Sequence, residues 1–122
     1  MKYRWGFVLI IFLFSPSLSL AGKADIIDAQ ASCRGNLVCQ FTVTVRHADE
    51  GWEHYADGWE VLSMDGKVLG TRKLAHPHVH EQPFTRSLSN INIPQNTKQV
   101  RIRARDSVHE NGGKEMVIDL PR

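Results

Sequence analysis

"VCQFTVTVRH", residues 38 to 47, alternates without a break: Phe41, Val43 and Val45 are apolar, and Gln40, Thr42, Thr44 and Arg46 are polar. A period of two belongs to a β-strand with one face buried and the other in water, because successive side chains point to opposite faces. Immediately before it, "ASCRGNLVCQF" (31 to 41) carries both cysteines of the chain, Cys33 and Cys39. Gly35-Asn36-Leu37 fits a three-residue hairpin loop, a register that sets Arg34 opposite Val38 and Cys33 opposite Cys39. The expected disulfide thus ties a strand over 24 to 32 to a strand over 38 to 46 across a tight turn. The C-x5-C spacing and the lack of a CxxC argue for a structural bridge and not a redox one.

Downstream, "GWEVLSM" (58 to 64) runs into Asp65-Gly66, a strong hairpin signal, and returns over 67 to 74. A strand over 84 to 93 stops at Pro94. "QVRIRARD" (99 to 106) alternates Val100, Ile102 and Ala104 with Arg101, Arg103 and Arg105, and after "ENGG" a last strand covers 114 to 120. No segment keeps a helical period over ten residues. Seven short strands in about 100 residues predict an all-β chain, an antiparallel β-sandwich of immunoglobulin or fibronectin type III character, with a small closed barrel as the alternative. Trp59, which opens an alternating run, is expected in the core. The arginine row is expected to face solvent and carboxylates such as Glu60, with an anion-binding surface as the other reading.

Residues 1 to 21 read as a signal peptide: Lys2 and Arg4 precede an apolar run from Trp5 to Phe14, and Ser19-Leu20-Ala21 places small residues before a cut at Gly22. The run is too short to span a bilayer as a helix. "LAGK" has Lys23 where a lipobox has its cysteine, which argues against a lipid anchor. The expected mature product is one domain, 22 to 122, in the periplasm or outside the cell. Of 15 Lys and Arg, removing Lys2 and Arg4 leaves 13 against 13 Asp and Glu. A net charge near zero gives no support for nucleic acid or an anionic membrane as partner.

If each connection reverses the chain, 46 to 57, 75 to 82 and 106 to 113 lie at one end of the sandwich. Those loops carry all six histidines, His47, His54, His76, His78, His80 and His109, together with Trp52, Tyr55, Asp49, Asp57, Glu81 and Asp106. Loops on a rigid scaffold are where sites are built. In "LAHPHVHEQPF" (74 to 84), histidines at i and i+2 stand about 6.6 Å apart on one face and can share an ion, whereas i and i+4 are about 13 Å apart and cannot. Pro77 keeps the segment extended. The expected metal site therefore takes two of His76, His78 and His80, recruits His47, His54 or His109, and uses Asp57 and Glu81 as oxygen ligands or as acceptors that orient a ring. The plainer reading is a solvated loop of surface histidines.

The stretches "HYADGWEV", "VLGTRKL", "HPHVHEQPFTRSL" and "RARDSVH" together resemble a family of small exported bacterial proteins with no assigned activity, across roughly residues 47 to 109. The resemblance implies export and one small domain, and it brings no ligand or catalytic residues.

With both cysteines bridged and Met64 and Met116 outside the three loops, soft ligands are missing, and imidazole with carboxylate suits Cu(II) or Zn(II). Enzyme readings are weak: Asp106, Ser107 and His109 share one loop and cannot converge as a triad, and no G-x-S-x-G turn is present. The competing reading is a non-enzymatic module that binds a glycan or a periplasmic protein through Trp52, Tyr55 and the arginines.

Overall fold

The computed structural model describes residues 22 to 121; the signal peptide read over 1 to 21 lies outside the described residues. Seven strands follow one another: β1 (Asp25–Cys33), β2 (Val38–Arg46), β3 (Ala56–Ser63), β4 (Val68–Lys73), β5 (Phe84–Asn92), β6 (Gln99–Asp106) and β7 (Met116–Asp119). They form two antiparallel sheets, β1-β2-β5 and β4-β3-β6-β7. The alternating rows of the sequence become the two inner faces. Phe41, Val43 and Val45 of β2 meet Trp59 and Val61 of β3 and Val100 and Ile102 of β6, all completely buried. The polar rows turn outward and pair across strands: Thr42 with Ser87 and Thr44 with Thr85 on one sheet, Arg103 with Glu60 and Arg101 with Glu115 on the other.

Cys33 pairs with Cys39 in the β1–β2 register and the two are bonded as a disulfide. Leu37, with a positive φ, closes the turn by donating to the Arg34 carbonyl, and burial of its side chain offsets that unfavourable backbone. In β5, a positive φ at Asn90 accompanies a bulge: Phe41 faces Leu88 while Cys39 faces Ile91, so the inward row shifts by one residue and Ile91 still reaches the core. Gly70 lets the sandwich close along its side, since a Cβ there would lie 2.7 Å from Ile91 Cδ1.

Two connections, β2–β3 and β4–β5, cross from one sheet to the other at the same end, and β6–β7 turns back there within one sheet. Hydrogen bonds knit the three together: His47 N–H to Gln82 Oε1, His78 N–H to Asp49 Oδ2, and Ser107 N–H to the Tyr55 carbonyl. At the opposite end Ile93 N–H donates to the Leu37 carbonyl. The crossing loops roof the core with polar residues, and this roof holds the candidate site.

Candidate metal centre

His47 follows β2 and keeps its inward parity with Phe41, Val43 and Val45. Asp106 ends β6 with the parity of Val100, Ile102 and Ala104. Both side chains are fully buried where the two rows run out. His54 joins them from the β2–β3 loop, in a tight turn in which Glu50 N–H donates to the His54 carbonyl and His54 N–H to that of Gly51. Gly51 makes that turn with φ 111°, a conformation side chains disfavour.

The three meet closely. His47 Nε2 lies 3.2 Å from His54 Nε2 and 3.4 Å from Asp106 Oδ2, and His54 Nε2 lies 3.4 Å from Asp106 Oδ1. These donors are near enough to one another to hold a metal ion. Around a tetrahedral ion with bonds of about 2.0 to 2.1 Å, neighbouring ligand atoms are about 3.3 to 3.4 Å apart; here the two ring nitrogens lie at 3.2 Å and each is 3.4 Å from a different oxygen of the Asp106 carboxylate.

Each donor is oriented from behind. Asp49, buried, accepts from His47 Nδ1 at 2.6 Å, from Ala56 N–H at 3.0 Å and from His78 N–H at 2.7 Å. An imidazole whose Nδ1–H goes to a carboxylate keeps its Nε2 lone pair for a cation. Glu50 Oε1 lies 3.5 Å from His54 Nδ1. Asp106 Oδ1 accepts from the backbone N–H of Val108 at 2.9 Å and of His109 at 2.6 Å, and His109 Nδ1 sits 3.0 Å from Oδ2. Burial works to raise the Asp106 pKa, but the two backbone donors and the His109 ring outweigh it and hold the carboxyl below its ordinary value, ionised and ready for a cation.

The 76–78–80 triplet stands apart. His76 and His78 share a face, their rings 4.7 Å apart, and His80 is exposed. His78 is buried, stacked on Phe84 at 4.1 Å, and its Nε2 receives Arg86 Nη2 at 3.0 Å. A guanidinium only donates, so that nitrogen's lone pair is taken and Nδ1 carries the proton. Burial, with the Arg86 and His76 charges, lowers the His78 pKa against the smaller opposing pull of Asp49 and Glu81. Among the described residues, the donors close enough to share an ion are His47, His54 and Asp106, and the triplet does not join them. The carboxylates lie elsewhere too: Asp57 accepts from Arg105 Nε at 3.1 Å, and Glu81 from Arg86 Nη1 at 3.2 Å. Trp52 is 67% exposed and meets Tyr55 edge to face at 5.7 Å. All three histidines of the triplet, with Trp52, Glu81 and Arg86, line an open cleft of about 770 Å³.

Asp106 and Asp49 carry roles that the search for histidines alone misses. For Asp106 the signal is present in "QVRIRARD": an aspartate on the inward row, at the end where the inward row of β2 reaches His47.

Over 97 residues, 80% of the chain, the sequence is 39% identical to a protein of Halomicrobium mukohataei named "Putative lipoprotein". The match covers 47% of that protein, so the chain spans about half the length of the curated relative. No protein-family model and no solved structure matches the chain.

Proposed function

We propose that the chain is an exported or cell-envelope protein that holds one divalent ion, Zn(II) or Cu(II), through His47, His54 and Asp106 at the end of a sandwich of fibronectin type III character. The observation that carries this reading is the buried triangle of two Nε2 atoms and a carboxylate with edges of 3.2 to 3.4 Å. An ion accounts for why two ring nitrogens and a carboxylate converge in the roof of a core, since its positive charge offsets that of the buried carboxylate. The strand orders β1-β2-β5 and β4-β3-β6-β7 support the fibronectin-like assignment.

The leader read over 1 to 21 and the lipoprotein name of the relative support export, and the likeness supports a family of small proteins without assigned activity. Cys33 and Cys39 are bonded to each other, so neither is free to carry a lipid. We place the mature chain in the periplasm or outside the cell. A second reading, a glycan- or peptide-binding face, rests on the exposure of Trp52 beside the open cleft. Metal analysis of tag-free protein taken from the cell envelope separates the two. About one equivalent of zinc or copper is expected; no metal, with no saturable binding tighter than about 10 μM, would leave only the second reading.

A further inference from the structure

We infer that an ion held by His47, His54 and Asp106 keeps one coordination position open to solvent and takes a small exogenous anion there, so that the site is reactive and not merely structural. This rests on the metal reading above. Three protein donors supply one face of a tetrahedron and leave its fourth vertex to something else. The side chains of His47 and Asp106 are 0% exposed, whereas that of His54 is 11% exposed and that of His109, whose ring stands 5.0 Å from that of His54, is 34% exposed, so the His54–His109 side of the triangle is the one nearest solvent.

Among the described residues, Asp49, Glu50 and His109 stand against these ligands, and each is occupied in orienting one of them. Asp49 binds the far nitrogen of His47 and two backbone N–H groups. Glu50 faces His54 Nδ1, the nitrogen turned away from the triangle. His109 has its Nδ1 at 3.0 and 3.2 Å from the two Asp106 oxygens, hydrogen-bond distance, and its own backbone N–H on the same carboxylate. His109 is thus a positioning residue that holds Asp106, as Asp49 holds His47. Structural zinc sites close all four positions with protein, while sites that act on small molecules keep three protein ligands and one exchangeable one. A disulfide and two packed sheets already hold this fold, so a structural ion is not required of it. The ligand class is a small anion with an oxygen or nitrogen lone pair, hydroxide derived from water being the simplest.

Co(II) as a coloured stand-in and azide as the probe test this on the tag-free mature chain. One equivalent of Co(II) is expected to give a visible spectrum that azide shifts saturably. His109→Ala and His109→Gln should bind Co(II) about 10- to 100-fold more weakly yet, once loaded, keep the azide shift. A Co(II) spectrum indifferent to azide in the wild type overturns the inference while leaving the metal reading intact. The same indifference in the wild type, with a response only in the His109 variants, identifies His109 as the fourth ligand and overturns it as well. Failure of the wild type to bind Co(II) at all removes the metal reading and this inference with it.

Discussion

Two sets of three histidines share one end of this sandwich and differ in what their nitrogens face. His47, His54 and His109 surround a buried, ionised carboxylate, and two of them aim Nε2 atoms at a common point. His76, His78 and His80 stand in a row on the β4–β5 connection, where the most buried member has given its acceptor nitrogen to an arginine. The row is the more conspicuous pattern in sequence, but it is the first set that brings two ring nitrogens and a carboxylate together in space. Spacing along an extended segment brings rings together, but an ion needs lone pairs directed at one point and negative charge to offset its own.

The largest effect expected from breaking this contrast is on the triangle itself. His54→Ala or Asp106→Ala should weaken Zn(II) binding by more than about 100-fold, beyond what loss of an outer orienting group costs. Isothermal titration measures it, and an affinity within threefold of wild type would contradict the assignment. Asp49→Ala comes next, at about 10- to 100-fold in affinity. It should also lower stability by about 3 kcal/mol or more, since it strips partners from a buried ring N–H and two buried backbone N–H groups. Urea unfolding of the metal-free protein reads that loss without the ion. At the other end of the molecule, Cys39→Ser should cost about 1 to 3 kcal/mol and leave Zn(II) affinity unchanged, because so short a closed loop restricts the unfolded chain only modestly.

A smaller effect concerns pH and His78. Its folded pKa lies below the ordinary 6.5, so the unfolded chain takes up the proton first as pH falls. The contribution of neutral His78 to stability is therefore present above about 6.5 and is lost as pH drops through the lower, folded value. His78→Gln should flatten the fall in stability of the metal-free protein over that window, measured by unfolding at a series of pH values. An unchanged slope would mean that His78 titrates as it does in the unfolded chain.

The fold was legible because period-two alternation, two turn signals and one cysteine pair all point to strands. The expected strands over 38 to 46 and 99 to 106 coincide with β2 and β6. The margins differ where pairing, not pattern, decides: β3 begins at Ala56 and not at 58, beyond a register shift against β6, and the edge strand β7 pairs only over Met116–Asp119. The end of the sandwich that carries the site was also legible, from the reversals of the chain. Of the three groups that meet, His47 and His54 were among the histidines expected to be recruited, whereas Asp106 was not named as a ligand although it ends the inward row of β6. His54 and His78 belong to connections without a period, and their positions depend on how those loops cross between sheets and on partners such as Asp49 and Arg86, which lie distant in sequence.

If the proposed function is right, the buried triangle, and not the row, holds the ion. Zn(II) titration of the tag-free mature chain at neutral pH, with His47→Ala/His54→Ala and His76→Ala/His78→Ala variants side by side, tests it most directly. One equivalent bound more tightly than about 10 μM is expected for the wild type, undiminished in the 76/78 variant and absent in the 47/54 variant. Binding that survives loss of His47 and His54 but disappears with His76 and His78 would contradict it.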